Sequence, residues 1–134
     1  MPELPARALL DTSVVIDFQR IPAALLPAQV AICAVTLAEL AAGPFATADP
    51  DERARRQDRL QRTEAAFDPL PVDLEAARAY GRVYAAVVAS GRQPRRRTAD
   101  LLIASVAVAQ GLPLVTRNGA DFSGLESLLD VIEV

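Results

Sequence analysis

Three acids stand where short apolar runs give way to helical sequence. Asp11 follows Leu9-Leu10, Glu39 lies one turn beyond Ile32 to Val35, and Asp100 sits in the first turn of a strongly apolar stretch that begins at Leu101. A polar run, Thr116-Arg117-Asn118-Gly119-Ala120-Asp121, leaves a fourth apolar segment. In open parallel sheets, ligands gather at the carboxyl ends of the strands, near the reversal of strand order. Each acid also has a plain structural use. Asp11 can cap a helix, Thr36-x-x-Glu39 fits a capping box, and Asp100 suits the positive end of a helix. Together they read differently, because two carboxylates 4 Å apart repel by roughly 4 kcal/mol at an effective dielectric near 20. Either the three do not converge, or a cation sits among them. Ligands that are all oxygen suit Mg2+ or Mn2+. Such an ion polarises a phosphodiester oxygen and acidifies a bound water, which is the chemistry of metal-assisted phosphodiester hydrolysis.

The composition removes the competing chemistries. The 134 residues include no His and no Lys, so all 14 basic residues are Arg, set against 17 acids for a formal charge of -3. Without imidazole there is no Ser–His–Asp or Cys–His catalysis, and without lysine no Schiff base and no P-loop lysine. One cysteine, Cys33, builds neither a zinc site nor a disulfide scaffold and points to a reducing compartment. The chain has 51% hydrophobic and 23% charged residues, enough for one domain over residues 1–134 with a sizeable core. The N-terminal apolar run stops at Asp11 and the run from Leu101 meets Ser105, so neither a signal peptide nor a membrane span is expected, and the cytoplasm is the expected location.

Net acidity argues against a general nucleic-acid coat but leaves room for a local basic patch. Arg92, Arg95, Arg96 and Arg97 stand immediately ahead of Asp100. They read either as a solvated loop or as a funnel in which Arg95, Arg96 and Arg97 meet the phosphates of a polyanion. Aromatic residues make up 4% of the chain, which gives no support for extensive base stacking.

The elements that must position these groups alternate between strands and helices, the pattern of a parallel sheet with crossover helices. Strands are predicted at Ala8–Leu10, Val30–Val35, Leu70–Val72, Leu112–Val115 and Leu129–Val134, with Pro113 marking a strand start. Helices are predicted over Val14–Arg20, over Thr36–Ala42, from an Asp49 cap to about Phe67, and after Asp73. The helix after Asp73 has apolar positions at Leu74, Ala77, Tyr80, Tyr84 and Val87 or Val88. A last, deeply buried helix is capped by Thr98, runs to Gln110 and stops at Gly111. The helix after Asp49 is too polar to lie flat on a sheet, so it projects or meets a partner.

The segments LLDTSVVIDF, AVTLAEL, RTADLLIASVAVAQG and LVTRNGADFSGL, in this order and spacing, resemble those of the PIN-domain ribonucleases, most closely the VapC toxins of toxin–antitoxin pairs. The resemblance covers essentially the whole chain. It implies an α/β fold of three layers, α/β/α, around a five-stranded parallel sheet, and a Mg2+-dependent endoribonuclease. Asp11, Glu39 and Asp100 match the family's metal-holding acids. The fourth position falls in the segment holding Asn118 and Asp121. Thr12, Ser13 and Thr116 match hydroxyls that orient the carboxylates. Asp17 also recurs in such sequences, although its helical place suits structure as readily. The resemblance further implies a homodimer and a cognate VapB-type antitoxin whose peptide covers the acidic groove, with the third and fourth helices as a clip around it. The alternative is a PIN-like module that grips RNA or a partner without turnover. A phosphotransfer receiver lacks its lysine here, and a haloacid-dehalogenase-like phosphatase would need an acid where Ser13 stands.

Overall fold

The computed structural model describes residues 3–134. Four strands form one parallel sheet: β1 (Arg7–Leu10), β2 (Gln29–Ala31), β3 (Leu114–Thr116) and β4 (Val131–Glu133), in the order β2-β1-β3-β4. Five α-helices connect them: α1 (Thr12–Ile16), α2 (Ala34–Ala42), α3 (Pro50–Ala66), α4 (Leu74–Ala89) and α5 (Thr98–Gln110). Short 3-10 turns fill Phe18–Arg20, Ala23–Leu25, Gly43–Ala46, Pro94–Arg97 and Gly119–Phe122.

Side chains of β1 alternate between two cores, as a strand buried on both faces requires. Leu9 joins Leu114, Val83 and Val87 of α4, and Leu101, Ile103 and Val106 of α5. Ala8 and Leu10 join Val115, Val14 and Val15 of α1, Leu40 of α2 and Leu60 of α3. The three α/β/α layers follow directly from that alternation.

The expected fifth strand at Leu70–Val72 is reduced to one parallel bridge, Cys33 to Leu70. Leu70 makes both of its ladder bonds, N–H to Ile32 O at 2.9 Å and O from Ala34 N–H at 2.8 Å. Pro69 and Pro71 flank it and have no N–H to extend the ladder. The sheet therefore has four strands, with a rudiment of a fifth beyond β2. Strand β2 is also shorter than expected, since α2 begins at Ala34 rather than at Thr36.

Both predicted aspartate caps form. Asp49 accepts from the Glu52 N–H at 3.3 Å and Asp73 from the Ala76 N–H at 2.9 Å. Thr98 is instead the first residue of α5, with Arg97 at the cap position. The face of α4 is rotated from its expected register. Ala76, Ala79, Val83 and Val87 are buried, whereas Leu74 is 65% exposed. Small residues let α4 approach α5 closely, and the bulkier Tyr80 and Tyr84 lie half-buried at the edges.

Helix α3 lies off the sheet, as its polarity demands. Among its residues only Leu60 and Thr63 are buried, and it packs against α2 and the Gly43–Ala46 turn. Its arginines bind the open carbonyls there: Arg56 Nη1 donates to Gly43 O at 2.9 Å and Arg53 Nε to Pro44 O at 3.0 Å.

Candidate metal and active site

The chain leaves β1 for β2 on one side and returns to β3 on the other, which opens a crevice between the carboxyl ends of β1 and β3. Asp11 sits in that crevice, 4% exposed, with its N–H bonded to Val115 O at 2.9 Å. It stands at the cap position of α1 yet makes no side-chain capping bond. Its Oδ2 accepts from Ser13 Oγ and from Thr116 Oγ1, each at 2.8 Å. Those hydroxyls are themselves fixed, because Arg117 N–H donates to Ser13 Oγ at 3.1 Å and Asn118 N–H to Thr116 Oγ1 at 3.0 Å. Among the described residues no donor reaches Oδ1, which leaves that oxygen for another electrophile.

Glu39 is positioned from the next strand–helix junction. Thr12 Oγ1 donates to Glu39 Oε1 at 2.6 Å and lies 3.0 Å from the buried Thr36 Oγ1. The capping box does not form, because Thr36 already lies inside α2 and that helix has no side-chain cap. Two of the three plain structural readings are thereby removed, and Asp100 alone keeps its expected place in a helix's first turn.

Asp100 carries the electrical record of the cluster. Its carboxyl is pushed from 3.8 up to about 6, first by burial and then by the charges of Asp11, Asp121 and Glu39, with Arg97 opposing. Asp11, Asp121 and Glu39 therefore all act on Asp100. Arg97 donates from Nη1 to Asp121 Oδ1 and stands 3.9 Å from Asp100 Oδ2. Of the two candidates for the fourth position, Asp121 joins the acids. Asn118 is exposed, and its contribution is the backbone bond to Thr116.

The loop that carries Asp121 has further anchors. Arg92 Nη1 donates to Ala120 O at 2.7 Å, and Glu133 Oε1 accepts from Gly119 N–H at 2.6 Å. A Cβ at Gly119 would come within 2.9 Å of that carboxylate oxygen, so glycine is what admits the contact. Asp17 pairs with Arg117 at 3.4 Å, behind the hydroxyl pair rather than among the acids. Arg95 and Arg96 are exposed, whereas the guanidiniums of Arg92 and Arg97 are engaged within the chain. Sequence reasoning missed the anchoring roles of Arg92, Arg97 and Glu133. The i,i+3 spacing of Arg97 and Asp100 was the one local signal, and nothing local marks Glu133.

Among the described residues, no three His, Cys, Asp or Glu side chains stand close enough to enclose a metal ion as they are. The donor set nevertheless fits a hard divalent cation. Its ligands are all carboxylate oxygens, and burial together with the charges of Asp11, Asp121 and Glu39 pushes the Asp100 carboxyl up. An ion that retains several waters, as Mg2+ does, needs only one or two direct carboxylates. Cys33 takes no part: it is buried, and burial pushes its thiol up. A separate cavity of about 650 Å³ lies between α1 and α3, lined by apolar Val15, Ile16 and Phe67 and by the ion pairs Arg55–Glu52 and Arg62–Asp58. Asp11, Glu39, Asp100 and Asp121 do not line it.

Comparison with known proteins identifies the family of the fold. Residues 8–126 match the PIN domain family. The chain is 41% identical to Ribonuclease VapC5 of Mycobacterium tuberculosis (strain ATCC 25618 / H37Rv), over 98% of this chain and 96% of that protein. It superposes with a TM-score of 0.82 and 40% identity on the crystal structure of VapBC-5, a member of the VapBC family of toxin-antitoxin systems from the same species, covering 97% of this chain and 100% of that one. FitAcB from Neisseria gonorrhoeae shares the fold at a TM-score of 0.71 and 24% identity, over 94% of this chain and 96% of that one.

Proposed function

Because the chain belongs to the PIN-domain family, and within it to the VapC ribonucleases, we propose that it is a Mg2+-dependent endoribonuclease, the toxin of a toxin–antitoxin pair, folded as one PIN unit over residues 1–134. The observation that carries this reading is Asp11 at the strand-order reversal, buried, held through Oδ2 by Ser13 and Thr116 and spent on no helix cap; the Asp100 carboxyl, pushed up by burial and then by Asp11, Asp121 and Glu39, agrees with it. Of these four acids only Asp100 and Asp121 have a cationic neighbour, Arg97, among the described residues, and Asp11 and Glu39 cap no helix, so the group suits a cation.

Asp11, Asp100 and Glu39 are the residues that hold the metal, with Asp121 completing the acidic rim. When bound, Mg2+ supplies Lewis-acid charge at the scissile phosphate and a water of lowered pKa; Mn2+ has the same donor preference. The chain's own groups orient the ligands. Ser13 and Thr116 hold Asp11 by Oδ2, so Oδ1 is the oxygen left for the ion. Thr12 fixes one oxygen of Glu39 and leaves the other for the ion or one of its waters. Arg95 and Arg96 are exposed beside the crevice, where they attract the RNA backbone.

The partner is a cognate VapB-type antitoxin, and the toxin acts as a homodimer. The cavity between α1 and α3 combines apolar side chains with both acids and arginines, which suits an amphipathic peptide. Among the described residues no helix is long and apolar enough to cross a membrane, and the cytoplasm, where RNA and antitoxin are found, is the proposed place of action. Purified protein should cut RNA with Mg2+ or Mn2+ and stop when the metal is chelated. Cleavage that survives chelation would refute the metal mechanism.

A further inference from the structure

Arg97 is held where a cation is needed. It ends the Pro94–Arg97 turn, whose Pro94 is buried, and takes the cap position of α5 three residues ahead of Asp100. From there its Nη1 bonds Asp121 across 24 residues of sequence and stands 3.9 Å from Asp100. Among the described residues it is the one basic side chain within 4.0 Å of either acid. The other nearby arginines are committed elsewhere, Arg92 to the carbonyls of Ala120 and Ser123 and Arg117 to Asp17.

A guanidinium that bridges two carboxylates does part of what a divalent ion does. It offsets their repulsion and holds their spacing. It also presents positive charge to the place where a second positive charge must arrive. We propose that Arg97 is an internal counter-ion of the acid cluster, which braces Asp100 and Asp121 in the metal-free protein and competes with the divalent ion for that end of the site. This inference rests on the metal-site reading above. It assigns to Arg97 a positioning role in place of a simple phosphate contact.

The test is calorimetric titration of the full chain with Mn2+ alone and Mg2+ alone. Arg97→Gln should bind the metal about tenfold more tightly than the parent, while its melting temperature without metal falls and its rise on adding metal is larger. Arg97→Lys, which keeps the charge, should stay near the parent affinity. In the unmutated protein, the Nε–H resonance of Arg97 should move in NMR spectra as Mg2+ saturates, a readout that needs no variant to fold. If the parent binds metal and Arg97→Gln binds equally or more weakly, the competition is refuted. An Arg97 resonance that ignores saturating Mg2+ refutes it as well. If neither protein binds metal, the metal-site reading fails and this inference fails with it.

Discussion

Asp100 titrates where most carboxyl groups have long since ionised, and this has a measurable consequence. Its pKa of about 6 in the folded chain lies above the ordinary 3.8, so the folded state holds a proton that the unfolded state has lost between those values. Its favourable contribution is complete below pH 4 and is lost as pH rises through 6, at a cost on the order of 3 kcal/mol before solvent screening reduces it. Denaturation of the metal-free protein should therefore show a stability component that falls between pH 4 and 6, and Asp100→Asn should remove it. Apparent Mg2+ affinity should rise over the same window and level off above pH 7, since the ion competes with that proton. Asp11 and Glu39 stood out as candidates in the sequence because each follows an apolar run, and Asp100 because it opens one, all of them local signals. Arg97 and Glu133 did not, because their partners lie 24 and 14 residues away and meet them only in the folded chain.

At the scale of elements, the glycines that end turns are open to direct measurement. Gly111 closes α5 at φ +66, with nothing near a would-be Cβ, so Gly111→Ala should cost about 1 kcal/mol of strain alone. Gly124 lies at φ +94, and a Cβ there would come within 2.7 Å of Ser90 Oγ and 2.9 Å of Ser90 Cβ. Gly124→Ala should therefore destabilise more than Gly111→Ala, and urea denaturation should rank the two in that order. Helices α3 and α4 were readable because Asp49 and Asp73 are caps with a mechanism. The register of α4 was not, since side-chain size favoured Leu74 and Tyr80 while close packing on α5 selected Ala76 and Ala79. The fifth strand was misjudged for a related reason. Leu70 pairs as a strand residue does, but Pro69 and Pro71 stop the ladder on either side of it.

Over the whole molecule, a charge of -3 conceals a division of labour. Four of the 17 acids, Asp11, Glu39, Asp100 and Asp121, meet near the reversal of strand order, and Arg95 and Arg96 stand exposed on the turn that leads into α5. In an Asp11→Asn background, which prevents turnover, Arg95→Ala with Arg96→Ala should weaken single-stranded RNA binding. The pair should also flatten its logarithmic salt dependence by about 1.4, the slope for two phosphate contacts on a single strand. Fluorescence anisotropy across a salt series would show this, and an unchanged slope would place the RNA elsewhere. The proposed metal dependence of cleavage is the claim on which everything else rests. The most direct measurement is RNA cleavage by the parent protein and by Asp11→Asn, with Mg2+ and with excess chelator, alongside circular dichroism to confirm that both are folded. Cleavage by the parent with Mg2+ alone, lost in the folded variant and under chelation, is the expected result. Equal cleavage by a folded Asp11→Asn protein would contradict it.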